Sequence, residues 1–376
     1  MQRMIRMRMG FRFYNIIQNS KVKIQKSKMK KVLFLIISIG FLVTAQSQKI
    51  WSKEKANQWY AKQPFLTGAD FLPSTAINQL EMWQAETFDT ATINRELGWA
   101  ESLGFNTLRV FLHNLVWQEN AQGFKKRIDQ FLVIADKHHI KPVFVFFDDC
   151  WNEEPISGKQ PDPQPGIHNS GWMRSPGKTM HNDSTQWTVL ETYVKDILKT
   201  YKNDSRILLW DLYNEPANSG YGLSSFPLLK NIFQWAWSVR PSQPLTVGVW
   251  FEDFPEINAY QLNNSDVISF HNYGDTNSLK LTIDSLEKRG RPIICTEYMA
   301  RKQNSLFITH LPIFKAHKVA AINWGFVSGK SNTIFPWGSK PGSPEPPIWF
   351  HDILRKDGSS FDSKETEFIK KINGRN

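Results

Sequence analysis

Apolar residues in this chain follow two alternating rhythms. Short apolar runs recur at 65–69, 107–112, 142–147, 207–212, 245–249, 267–270, 292–296 and 319–323. Runs that are apolar at successive positions, rather than at every second one, mark strands buried on both faces, as in a parallel sheet. Between them the spacing changes to that of helices. From about residue 91, Ile93, Leu97 and Ala100 share one face, and the pattern stops at Gly104, a fitting residue just past a helix end. Ile128, Phe131, Leu132 and Ala135 form a second stripe, and Leu190, Val194, Ile197 and Tyr201 a third. Strand and helix alternating eight times predict an α/β fold. A closed (β/α)8 TIM barrel of one domain accommodates that number better than an open, doubly wound sheet.

Two connections exceed the length of ordinary βα turns. Residues 151–184 follow strand 3 and carry Pro155, Pro161, Pro163, Pro165 and Pro176; residues 325–349 follow strand 8 and carry Trp337 in a Pro-rich stretch. Both are expected to emerge at the C-terminal face of the barrel, where substrate loops belong. Trp151, Trp172 and Trp337 are costly residues to leave merely exposed, which favours loops that wall a site over plain insertions. The chain has 15 tryptophans. Core packing explains most of them, and about a third are expected as platforms for the C–H faces of sugar rings.

The N-terminus is read apart from the rest. Residues 28–31 (Lys-Met-Lys-Lys) are basic, 32–45 are apolar, and Ala45-Gln46-Ser47 places small residues before a cut ahead of Gln48. This predicts a signal peptide over 29–47. Residues 1–28 read as an upstream extension from a mis-assigned start, since Met29-Lys30-Lys31 is a natural beginning. The catalytic domain is then 48–376, in a secreted or periplasmic protein without stable membrane insertion. The formal charge of +11 loses its meaning: ten of the 46 Lys and Arg lie in residues 1–47, which hold no acid, and the remaining 36 face 35 Asp and Glu. No nucleic-acid partner is expected from so balanced a surface. Cys150 and Cys295 fall on strands 3 and 7, too far apart for a disulfide, and no metal site is expected from them.

Candidate chemistry lies at strand ends. Trp210-Asp211-Leu212-Tyr213-Asn214-Glu215-Pro216 and Pro292-Ile293-Ile294-Cys295-Thr296-Glu297-Tyr298 are apolar runs that each stop at a glutamate. Pro216 fixes the backbone next to the first. The second glutamate can alternatively be a structural ion pair with Arg301. Arg109 sits among apolar neighbours in strand 2 and needs a buried carboxylate partner; Glu297 suits it. His271 and Tyr273 close strand 6, Trp324 closes strand 8, and Trp250 follows strand 5. His113 and Asn114 after strand 2, and Asp148, Asp149 and Trp151 after strand 3, are further candidates for sugar contacts, with a cation as the alternative ligand of the paired aspartates. Two carboxyl groups, one protonated and one charged, are what cleavage of a glycosidic bond requires.

Arg109, Asn214-Glu215-Pro216, His271-Asn272-Tyr273, Glu297 and Trp324 together resemble the clan A glycoside hydrolases, closest to the cellulase-like family 5. The resemblance spans nearly the whole of 48–376. It implies a (β/α)8 barrel and a retaining double displacement, with Glu215 as acid/base and Glu297 as nucleophile. It also implies that Asn214 binds the 2-hydroxyl of the sugar being cleaved, that Tyr273 and Arg109 position Glu297, and that Trp324 stacks under that sugar. Family 5 members often carry a histidine near the end of strand 3; here the residues are Asp148, Asp149 and Cys150. The expected partner is an oligo- or polysaccharide, the expected state a monomer, and no cofactor is expected. Endo- and exo-action both remain open, because 151–184 is long enough to close one end of a cleft. A non-catalytic carbohydrate-binding barrel is the alternative function. A metal-dependent barrel hydrolase is a third reading, for which His271 has no evident ligand partner in the sequence.

Overall fold

The computed structural model describes residues 50–375, and the expected leader and upstream extension lie outside them. Eight strands appear where eight were expected: β1 (Thr67–Asp70), β2 (Thr107–Phe111), β3 (Lys141–Asp148), β4 (Leu209–Asn214), β5 (Leu245–Thr246), β6 (Ile268–His271), β7 (Ile293–Glu297) and β8 (Ala320–Asn323). All ladders are parallel, in the order β5-β4-β3-β2-β1-β8-β7-β6. The ring closes between β5 and β6 through a single parallel bridge, Val249 to Phe270. Here Val249 donates to Ser269 O and His271 donates to Val249 O, both at 3.0 Å. β5 is shorter than predicted because side chains replace its ladder: Val247 N donates to Ser265 Oγ at 3.2 Å, and Gln261 Nε2 donates to Gly248 O at 2.7 Å.

The three helical stripes are α3 (Thr90–Ser102), α5 (Ala121–Lys137) and α7 (Trp187–Tyr201). They follow α1 (Lys53–Tyr60) and α2 (Gln79–Trp83), and are interleaved with α4 (Asn114–Glu119) and α6 (Lys178–Asn182). Asp89 and Asn120 cap α3 and α5 by accepting from Thr92 N and Gly123 N. Four more complete the outer ring: α8 (Phe226–Val239), α9 (Pro255–Asn264), α10 (Thr276–Glu287) and α11 (Phe307–Ala316). The last helix is α12 (Ser363–Ile372).

The interior is filled in layers, as a packed barrel must be. Leu66, Val143, Leu209, Ile294 and Ile322 fill the lower layer, against which Trp59 and Tyr60 of α1 pack. Phe111, Val145, Cys150, Trp172 and Trp324 form the upper one. Between these apolar layers lie charged and amide side chains from β1, β2, β4 and β7. No described helix is long and apolar enough to cross a membrane.

Candidate active site

Arg109, in the middle of β2, is fully buried. Its guanidinium reaches four side chains on three other strands: Nη1 donates to Asp70 Oδ1 at 2.9 Å and to Glu297 Oε1 at 2.8 Å, Nε to Asp211 Oδ2 at 3.0 Å, and Nη2 to Asn214 Oδ1 at 2.5 Å. The partner expected from sequence, Glu297, is therefore present, and Asp70 and Asp211 are added to it. Asp211 was legible in principle: an acid inside an apolar strand is as anomalous as the arginine inside its neighbour. Arg301, the alternative partner of Glu297, is paired instead with Glu365 at 2.6 Å.

Glu297 ends β7 and Glu215 follows β4. Oxygens of the two carboxyl groups and a ring nitrogen of His271 lie within 4.8 Å of one another. The second oxygen of Glu297 accepts from Tyr273 OH at 2.7 Å. Glu215 Oε1 lies 2.7 Å from His271 Nδ1, and Glu215 Oε2 accepts from Cys150 Sγ at 3.2 Å and from Asn218 Nδ2. Glu215 itself adopts a left-handed backbone, with φ of 45°. Such a conformation in a residue with a Cβ costs of order 1–3 kcal/mol and tends to be kept where the side chain must be aimed.

The surroundings of the two acids differ in kind. Burial pushes both upward; at Glu297 this is opposed by the bonds from Arg109 and Tyr273, whereas the hydrogen-bond donors at Glu215 are Cys150 and Asn218. Burial lowers the pKa of His271 to about 4, so it is neutral near pH 7. Of a close pair of carboxyl groups, one holds the proton. The guanidinium bonds to Glu297 and not to Glu215, which favours the charged form at Glu297.

The same trio of groups gives His271 the ligand partners that the sequence did not reveal. Every oxygen of the two glutamates nevertheless already accepts from a protein donor or faces His271, and a cation would have to displace those contacts.

Above the acids lies a cavity of about 490 Å³. Trp151, Trp172, Trp250, Trp324 and Trp337 line it, together with Asn214, His271 and Tyr273. Five of the 15 tryptophans thus face the site. Only Trp151 and Trp337 are well exposed, each at 39%. Trp172 and Trp324 pack edge to face with centroids 5.2 Å apart.

Besides Arg109, which is fully buried under Glu297, four candidates do not line the cavity. Asp148 accepts from Trp172 Nε1 at 2.6 Å, Asn214 Nδ2 at 2.9 Å and Cys150 N at 3.0 Å. Asp149 accepts from Tyr213 OH, Ala217 N and Ser225 Oγ. Both are buried, which raises their pKa values to about 6 and about 7. They hold Asn214, Trp172 and the turn after Glu215 in place rather than offering free oxygens to a sugar or a cation. His113 caps α4 with Nδ1 and contacts Arg174 O with Nε2 at 2.9 Å. Asn114 is bonded to Ser175. These two polar residues tie the β2 loop to the β3 loop.

Five lining residues were not among the candidates: Cys150, His168, Asn169, Asn218 and Ser219. Cys150 stands in the strand-3 region where a histidine was expected from the family resemblance. Its thiol donates to the carboxyl of Glu215 and so favours the charged form. Removing it in Cys150→Ala is expected to raise the Glu215 pKa and move the alkaline limb of the kcat/KM profile to higher pH. An alkaline limb that stays put or moves down would show that the thiol does not tune this acid.

Two carboxyl groups, Glu297 buried and Glu215 partly buried, meet at the C-terminal mouth of an eight-stranded parallel barrel, the arrangement that glycoside hydrolysis uses. The chain belongs to glycosyl hydrolase family 5: the family model "Cellulase (glycosyl hydrolase family 5)" matches residues 76–330. A probable mannan endo-1,4-β-mannosidase A of Aspergillus niger is 24% identical over 153 residues, which is 36% of this chain and 38% of that protein. The aligned part therefore spans well under half of that relative. Among solved structures, the exo-β-1,4-mannosidase Op5Man5 of Opitutaceae bacterium strain TAV5 superposes with a TM-score of 0.58 at 14% identity, over 83% of this chain and 59% of that one. The endo-1,4-β-mannanase of Rhizomucor miehei gives 0.53 at 15% identity, over 84% and 96%. Streptomyces cattleya GH5_18, solved with GlcNAc, gives 0.54 at 12% identity, over 82% and 79%. At these identities the likeness is one of fold.

Proposed function

We propose that this protein is a secreted retaining hydrolase of β-mannosidic linkages, with Glu215 as acid/base and Glu297 as nucleophile. The observation that carries the reading is the approach of the two carboxyl groups to within 4.8 Å, with their partners divided unequally. Retaining enzymes hold their carboxyls about 5–5.5 Å apart, while inverting ones leave about 6.5–9.5 Å for a water. Glu297, fixed by Arg109 and Tyr273, attacks the anomeric carbon. Glu215 gives its proton to the departing oxygen, then takes one from the water that frees the sugar. Atoms balance as one water added across one glycosidic bond. Asn214, at the edge of both acids, suits the 2-hydroxyl, and Trp324 the face of the same ring.

The mannose preference is supported by the named activities of the A. niger, Opitutaceae and Rhizomucor proteins. Secretion is supported by the predicted leader, and a mature N-terminus at Gln48 is its direct test. A screen over mannan, xylan, β-glucans and aryl β-glycosides, with product anomers followed by NMR, tests the rest. Mannosides should be cleaved fastest and the β-anomer should appear first. An α-anomer as first product, or no hydrolysis in the series, would overturn the mechanism.

A further inference from the structure

The two long loops are not separate flaps. The β3 loop and the β8 loop are stitched together by backbone and amide hydrogen bonds. Asn169 N donates to Ser331 O at 2.9 Å and Gly342 N to Pro165 O at 2.8 Å. Asn332 Nδ2 donates to Gln164 O at 2.9 Å and Ile167 O at 3.1 Å. Gly166, at φ 81°, comes so near that a Cβ there would stand 2.5 Å from Ser343 N.

The loops after β1 and β2 join the same structure. Lys330 N donates to Ser74 O at 3.2 Å, Asn78 Nδ2 to Gly171 O at 2.8 Å, and His113 contacts Arg174 O. Four neighbouring rim segments, from β8 through β1 and β2 to β3, thus form one hydrogen-bonded wall. On the opposite side, after β5, the rim offers Trp250 and the exposed Phe251 stacked on it with centroids 5.1 Å apart.

The direction of a bound glycan follows from the proposed roles, on which this inference rests. The sugar losing its bond lies on Trp324 at β8. The departing oxygen lies at Glu215 beyond β4, so the leaving chain runs toward Trp250. An anomeric carbon points to the leaving chain, so the other end of the ring, the non-reducing end, faces the wall.

The wall also presents two acceptors. His168 Nδ1 lies 2.8 Å from Phe335 O, so in the neutral ring it carries the proton and Nε2 bears a lone pair. Burial lowers the pKa of this ring to about 4, which keeps it neutral. His168 and Asn169 line the cavity, and their buried Nε2 and Oδ1 atoms have no hydrogen-bond partner among the described residues. Buried polar atoms are nearly always paired, and an exception at a cavity marks the place of a ligand group. Both atoms need donors. A terminal sugar has free hydroxyls to donate; in a sugar inside a chain, the hydroxyl carrying the next unit is an ether oxygen and donates nothing.

We propose that the enzyme acts at chain ends: His168 Nε2 and Asn169 Oδ1 accept hydroxyl protons of the non-reducing terminal unit, and the stitched wall excludes any unit beyond it. Each turnover adds one water across the terminal bond and releases one monosaccharide and a chain shorter by one.

The test uses β-1,4-mannohexaose tagged at its reducing end with 2-aminobenzamide, and the same compound with its terminal 4-hydroxyl methylated. Gluco and xylo pairs run in parallel, so that the outcome does not depend on the sugar. The expected result is free monosaccharide from the first time point, a tagged ladder losing one unit at a time, and cleavage of the methylated substrate slower by a factor of roughly 50 or more. Short tagged fragments at early times, or equal rates on capped and uncapped chains, would overturn chain-end action while leaving the hydrolase reading intact. No hydrolysis in any series would overturn both. In His168→Ala and Asn169→Ala, KM for the uncapped chain is expected to rise about tenfold and the preference over the capped chain to fall. An unchanged preference in variants that keep the wild-type melting temperature would remove these two residues from the reading.

Discussion

Glu297→Ala is expected to lower kcat on every glycoside by on the order of 10⁴–10⁶, whatever the leaving group. As the proposed nucleophile, this carboxylate has no substitute nearby. Asp70 is turned to Arg109, and Asp211 lies deeper, fully buried on the same guanidinium. Removing Glu297 also frees Arg109 Nη1 and Tyr273 OH, but the guanidinium keeps Asp70, Asp211 and Asn214. The variant should therefore fold, with near-wild-type circular dichroism, and still retain oligosaccharide on an affinity gel. A variant that keeps more than about a hundredth of the wild-type rate would assign the nucleophile elsewhere.

Glu215→Ala should behave differently, and the difference is the evidence. A general acid contributes about 10²–10⁴ when the leaving oxygen is a poor one. kcat/KM on oligosaccharides is expected to fall by that factor. On a dinitrophenyl glycoside, whose leaving group departs without a proton, kcat/KM should change little while kcat falls, because the water attacking the second step has lost its base. An equal drop in kcat/KM on both substrates would exclude Glu215 as the acid. The wild-type pH profile follows from the same assignment. Activity needs Glu215 protonated, so it is lost as pH rises through a pKa that burial has moved upward. It needs Glu297 ionised, so it is also lost on the acid side.

How far the sequence carries depends on what fixes each feature. All eight strands were legible because a parallel strand between helices and barrel interior must be apolar on both faces. Their ends were less so: the first was expected over 65–69 and runs Thr67–Asp70, and the fifth is cut short by side-chain bonds from Gln261 and Ser265. Glu215, His271, Tyr273, Glu297 and Trp324 were legible because the barrel dictates where strand ends point, and Arg109 because a charge inside an apolar strand needs a partner. The four polar residues just past strands 2 and 3 look alike in sequence, and only the finished loops decide their surroundings. Asp148 and Asp149 are taken up by Trp172, Asn214, Tyr213 and Ser225 instead. His168 and Asn169 sit in the middle of a proline-rich loop whose path is set by hydrogen bonds to residues more than 160 positions away, such as Ser331 and Phe335. No local pattern encodes that.

The single guanidinium of Arg109 has a consequence for what the cavity will hold. Burial and the neighbouring acids push Asp70 well above the usual carboxylate range, and burial pushes Glu215 upward as well. Three carboxyl groups, Asp70, Asp211 and Glu297, share one fixed cation, and burial keeps His271 neutral near pH 7. Carboxyl groups thus outnumber cations on the floor, which suits a sugar that becomes positive during bond breaking. A ring-nitrogen sugar mimic that is protonated in water would keep its proton on entering, whereas a uronic acid of the same outline would meet repulsion at the threshold.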